Sequence, residues 1–125
     1  MEFTIKQAAE RTQLPASTLR FYDRAGLMPL LKKTEYGTRK YSEMDISWLE
    51  LVRCLRDSGM PLEDIKAFML LCLEGSITSE QRKEMLQQHR QNILKQMEML
   101  NCSLGTIDYK LEHYNEIGIF HIDTK

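Results

Sequence analysis

The sequence has no surplus of charge. Its 17 Lys and Arg stand against 18 Asp and Glu in 125 residues, so total charge gives no sign of a polyanionic partner. It has no apolar run long enough to span a membrane, and no leader in which charged, apolar and small residues follow in turn. The expectation is a cytoplasmic protein. Its three cysteines, Cys54, Cys72 and Cys102, form no CxxC pair, and His89, His113 and His121 are equally scattered. That spacing argues against a structural disulfide and against a metal site. There is no phosphate-binding glycine loop, no nucleophile-base arrangement and no carboxylate pair, so neither an enzyme nor a cofactor is expected. Low-complexity segments are missing as well. At this length, with 42% hydrophobic residues, the chain can form one compact domain with a modest core plus an extended helix.

What the sequence does contain is unevenly placed. Residues 1 to 41 hold eight Lys or Arg against four Asp or Glu, whereas residues 42 to 125 hold nine against fourteen. The basic segment begins with Thr4 and Gln7, which have the spacing of a capping box. A first helix through Ala8 and Ala9 follows, and its small residues allow close approach of a second. The break at Thr12-Gln13-Leu14-Pro15 is short enough to hold the two at a steep angle, as in a helix-turn-helix. The second helix should expose Ser17, Thr18, Arg20 and Tyr22, whose hydroxyls, phenol and guanidinium suit base edges and phosphates. Leu19 and Phe21 are expected to point inward. Gly26 should stop the helix in the left-handed conformation, and Pro29 prevents a restart.

From Met28 to Tyr41 the pattern turns extended around Tyr36-Gly37, with Lys32, Lys33, Arg39 and Lys40 clustered about that turn. A solvated turn would explain such a charge run taken alone. Beside a helix-turn-helix it reads instead as a basic wing, whose four cations would contact phosphates flanking the groove. Ser42 should open a third helix, with Asp45 in its first turn and Met44, Trp48, Leu51, Val52 and Leu55 on one apolar stripe. Gly59 and Pro61 mark the next boundary, and Leu62, Ile65, Phe68, Met69 and Leu73 recur at helical spacing in a fourth helix. After Glu74-Gly75-Ser76, Thr78 or Ser79 can cap another.

That last helix carries a heptad seam: Leu86, Ile93, Met97, Leu100, Leu104, Ile107, Leu111 and Tyr114, interrupted only by Arg90. Its span of over thirty residues, roughly 50 Å at the standard rise, is longer than a domain this small can cover. Pairing with a second copy is the better way to keep the seam dry. Asn101 and Gly105 weaken the helix locally. Cys54 falls at the edge of the third helix's stripe, near Arg53 and Arg56, and is either an accessible thiol or a buried small hydrophobe. In the tail, Tyr109, Tyr114, Ile117, Ile119 and Phe120 offer material for an aromatic pocket, although coiled-coil packing explains the two tyrosines more simply.

Taken together, these motifs resemble the MerR-type transcription regulators. The likeness rests on Thr4-Ile5, Leu19-Arg20-Phe21-Tyr22-Asp23 with Gly26-Leu27 and Pro29, Arg39-Lys40-Tyr41, and Gly59-Met60-Pro61-Leu62-Glu63-Asp64-Ile65, in that order. Two positions depart from the pattern: Phe21 stands where tyrosine is common, and Pro15 where a capping serine is common. The resemblance implies a mainly α fold, a winged helix-turn-helix DNA-binding domain (1–73), a linker (74–78), a dimerisation helix in an antiparallel coiled coil (79–116) and a tail (117–125). It implies a homodimer on double-stranded promoter DNA, with Thr4, Ser17, Thr18, Arg20, Tyr22, Lys32, Lys33, Arg39 and Tyr41 as contacts. Activation would come through DNA distortion, reaching RNA polymerase only through the DNA. The stretch Trp48 to Arg56 is similar to the aldehyde- and thiol-responsive AdhR and NmlR branch, which implies an effector role for Cys54. A coiled-coil interaction protein or an architectural DNA-binding protein without effector sensing is the alternative.

Overall fold

The computed structural model describes residues 1–114. The end of the expected dimerisation segment at 115–116, and the 117–125 tail with Ile117, Ile119, Phe120 and His121, lie outside the described residues.

Helix α1 (Ile5–Thr12) begins with the expected capping box: the Thr4 hydroxyl accepts from the Gln7 amide at 3.1 Å, and the Gln7 side chain accepts from the Thr4 amide at 2.9 Å. It ends at Gln13, which adopts a left-handed φ of 59°. Helix α2 (Ala16–Arg24) starts at Pro15 without a side-chain cap, because proline supplies the backbone angle but no acceptor. Gly26, at φ 83°, reverses the chain so that the Leu27 amide bonds the Tyr22 carbonyl.

A small sheet follows that the sequence does not reveal in full. Strands β2 (Lys32–Lys33) and β3 (Arg39–Ser42) form the wing. A third strand, β1 (Glu2–Phe3), pairs with the other edge of β3 in register Glu2 with Ser42 and Phe3 with Tyr41, giving the order β1-β3-β2. The wing turn is closed by the Thr34 hydroxyl, which accepts from the amides of Tyr36 and Thr38. Gly37 provides the positive φ.

Helix α3 (Glu43–Asp57) opens on a second capping box, Ser42 with Asp45. Its buried row is Ile46, Leu49, Val52 and Leu55. Met44, expected on that row, is 61% exposed, because two residues before Ile46 means about 200° around the helix. Helix α4 (Leu62–Leu73) buries Ile65, Phe68 and Met69, while Leu73 lies exposed at the edge of the stripe. A 3₁₀ turn over Gly75–Thr78 leads into helix α5 (Ser79–Glu112). Thr78 does not end in a simple cap. Its buried hydroxyl donates to the Leu71 carbonyl at 2.7 Å and accepts from Arg82 Nε at 3.0 Å.

The chain forms two compact units, Met1–Gln87 and the remainder from Gln88. The first holds the core, in which Leu19, Leu27, Tyr41, Leu49, Val52, Ile65 and Met69 are fully buried and against which Met85 of α5 packs. Among the described residues the second comprises the rest of α5 and the two residues after it. Along it Met97, Leu100, Leu104, Ile107, Leu111 and Tyr114 are all exposed, and Ile93 is half-buried. Leu86, still in the first unit, is also exposed.

Candidate nucleic-acid interface

The outward side of α2 is set by which residues the core claims. Leu19 and Tyr22, three apart and therefore on one face, are the buried pair. This corrects the expected facing on two counts: the Tyr22 ring, at 5% exposure, packs in the core, whereas Phe21, at 39%, faces outward. Burial raises the Tyr22 phenol above its ordinary pKa, and the nearby Arg56 only partly offsets this. Ser17, Arg20 and Arg24 are exposed and Thr18 is half-buried, so these four lie on the outward side of α2. Thr4 is exposed too, but its hydroxyl oxygen is occupied in the cap of α1.

Between α2 and the wing stands Asp23, a residue to which the sequence reading gave no role. Its carboxylate accepts from Arg39 Nε at 2.8 Å and pairs with Lys33 Nζ at 3.0 Å, both on Oδ2, and its side chain is only 11% exposed. Burial pushes the Asp23 carboxyl up, but the hydrogen bonds from Lys33 and Arg39 outweigh it and hold the pKa below the ordinary 3.8. The bridge therefore fixes the hairpin to the reading helix while spending part of its charge. Lys40 in turn lies 3.5 Å from Glu2 Oε1, an exposed pair of little strength. Of the four wing cations, only Lys32 has no carboxylate partner among the described residues. Asp23 is one of only four acids in the basic segment, and that rarity was the signal available in the sequence.

Tyr41 is the other correction. It is fully buried, its hydroxyl has no protein partner among the described residues, and burial pushes its pKa up to about 12. Alternation along β3 puts residues 40 and 41 on opposite faces, and the face of residue 41 is the one packed on the core, so Tyr41 points inward and Lys40 outward.

Two further arginines lock the head together. Arg11 pairs with Glu43 at 3.1 Å and sits over the Phe3 ring, joining α1 to α3 and β1. Arg53 Nη1 donates to the Thr12 carbonyl at 2.7 Å, satisfying a terminal carbonyl of α1, and its Nε is 3.6 Å from Asp57. In the lone chain Cys54 is exposed and lies outside the hydrophobic core. The arginines beside it in sequence have other partners: Arg53 as above, and Arg56 over the ring of Phe21 at 5.6 Å. Among the described residues no three His, Cys, Asp or Glu gather to hold a metal, and no helix is long and apolar enough to cross a membrane.

Comparison with known proteins agrees with this geometry. Residues 3–71 match the family model described as MerR HTH family regulatory protein, and residues 46–107 match one described as MerR, DNA binding. An uncharacterised HTH-type transcriptional regulator of Haemophilus influenzae is 38% identical over 93% of this chain and 86% of its own. The HTH-type transcriptional regulator AdhR of Bacillus subtilis is 40% identical over 73% of this chain and 65% of its own. Among solved structures, HiNmlR, a MerR family regulator lacking the sensor domain and bound to promoter DNA, superposes with a TM-score of 0.83 at 38% identity, covering 94% of this chain and 93% of that one. A MerR family regulator from Bacillus thuringiensis superposes equally well, at 34% identity over 91% of this chain and all of its own. With family models matching residues 3–71 and 46–107 and a relative 38% identical over 93% of its length, the chain belongs to the MerR family of helix-turn-helix transcriptional regulators.

Proposed function

We propose that the protein binds promoter DNA as a homodimer, inserting α2 into the major groove, and activates transcription by distorting the DNA when an effector acts. The observation that carries this reading is the exposed Ser17, Arg20 and Arg24 face of α2 with a cationic hairpin fixed beside it by Asp23. The likeness to HiNmlR, a regulator of nearly the same extent bound to promoter DNA, supports it. RNA polymerase is reached through the altered DNA. In this scheme residues 1–73 read DNA, 74–78 connect, and 79–116 pair the subunits. Support for pairing comes from Met97, Leu100, Leu104, Ile107 and Leu111, each more than half exposed in a lone chain. An antiparallel coiled coil would cover them and set the spacing of two reading helices on a pseudo-palindrome.

For the effector, the proposal is a reactive aldehyde or other electrophile that adds to the exposed Cys54 thiolate. Both parts are tested by a DNase footprint over the upstream region of its own gene, with and without formaldehyde or methylglyoxal. Protection of a symmetric site, with enhanced cleavage at its centre on adding aldehyde, is expected. A monomer in solution, or no preference over random duplex, refutes the DNA reading. Aldehyde-dependent transcription without a Cys54 adduct by mass spectrometry refutes the sensor alone.

A further inference from the structure

We infer that Arg82 is a positioning residue for operator recognition: through Thr78 and the Gly75 carbonyl it sets the angle at which α5 leaves the head, and so the separation of half-sites that a dimer accepts. The inference rests on the dimeric DNA-binding reading above. Helix α4 ends at Leu73, and Gly75, at φ 76°, turns the chain into the 3₁₀ segment before α5. Thr78 is buried in that turn. A hydroxyl has one proton to give, and at 2.7 Å it goes to the carbonyl of Leu71, one of the last four of α4. The Gly75 carbonyl, 3.1 Å from the same hydroxyl, is left to Arg82, whose Nη2 donates to it at 2.9 Å while Nε donates to the Thr78 oxygen at 3.0 Å.

Arg82 stands in the first turn of α5, where the helix dipole disfavours a cation, and its two hydrogen bonds offset that cost. Both tie the start of α5 back to the turn that leaves α4, and hydrogen bonds are directional. Met85, three residues on, also packs against the core, but an apolar contact tolerates sliding and tilt. Arg82 is therefore what resists a change of angle. The leverage is large, because α5 is 34 residues long and in an antiparallel pair the partner's head rides near its far end. Over a helix of about 51 Å, a tilt of about 5° moves that end by roughly 4 Å, more than the ~3.4 Å rise of one base pair. A joint loose by that much accepts sites one base pair too long or too short, and a clasped one rejects them.

A merely structural Arg82 would lower stability, or affinity on every site alike, so the test reads spacing. Anisotropy titrations of the full chain would compare the footprinted duplex, derivatives with one base pair added or removed between its half-sites, and random duplex. Wild type should prefer the native spacing. In Arg82→Met, which keeps the aliphatic stem and removes the donors, that preference should shrink by about tenfold, the equivalent of one charge-assisted hydrogen bond, with the slope of log affinity against log salt unchanged. Thr78→Val should do the same from the acceptor side. A further measurement needs no variant: the Arg82 Nε–H should give a slowly exchanging NMR resonance in isotope-labelled wild type. The inference is overturned by an Arg82→Met protein that melts like wild type and keeps its spacing preference, by equal loss at all spacings, by a wild type indifferent to spacing, or by free exchange at that N–H. Each leaves the DNA-binding reading standing while the wild type still favours its site over random duplex. Failure of the wild type to favour that site would overturn both.

Discussion

Asp23→Asn isolates the joint between reading helix and wing, because it keeps the shape of the side chain and removes only its charge. The carboxylate is 11% exposed and Arg39 is 20% exposed, so the bond at 2.8 Å is shielded, whereas Lys33, at 45%, is open to solvent. A charge-assisted hydrogen bond in a shielded place is worth roughly 1.5–3 kcal/mol, and the exposed lysine pair adds at most ~1 kcal/mol. Asparagine retains one neutral acceptor, so the net loss should be about 2 kcal/mol at neutral pH. The sign with pH follows from the lowered pKa. Folding holds Asp23 ionised below its ordinary 3.8, so this stability is complete above 3.8 and disappears as pH falls through the lower folded value. Urea unfolding of both proteins, followed by circular dichroism at a series of pH values from 7 downward, should show two midpoints that converge below pH 3.8. A gap that persists undiminished in acid would refute the electrostatic account. No gap at pH 7 would show that Asp23 does not hold the wing.

Gly26→Ala forces a Cβ into a left-handed turn at φ 83°, 2.9 Å from the end of the Lys66 side chain; the flexible lysine can move but the backbone cannot, so thermal melts should show a loss of about 1–2 kcal/mol. Unchanged stability would contradict the backbone argument. Tyr41→Phe removes a buried hydroxyl without a protein partner, so it should leave DNA affinity intact and cost under ~1 kcal/mol. The variant should also escape the loss of stability that wild type suffers between pH 10 and 12, where only the unfolded phenol ionises; reduced DNA binding would restore Tyr41 to the interface. Arg20→Ala should weaken binding and relax base preference, whereas an equal loss on every sequence would assign Arg20 to the DNA backbone alone.

The elements of this protein were legible in its sequence because they are written in local terms. Capping pairs at Thr4 and Gln7, the left-handed stop at Gly26, the turn at Gly37 and the heptads of α5 each act within a few residues, and each stands where expected. Even the facing of α2 was available, since Leu19 inward implies Tyr22 inward by helical period. What the sequence alone did not disclose depends on partners distant along the chain. Strand β1 pairs across 39 residues, Glu2 to Ser42, and that pairing turns β3 into a central strand, while packing of one face of β3 on the core takes Tyr41 inside. Asp23 becomes a bridge only when Arg39 is folded back upon it, and Arg56 finds Phe21 only when α3 packs beside α2. Local propensity and periodicity fixed the helices and their order, whereas long-range packing decided which side chains were left at the surface to meet DNA.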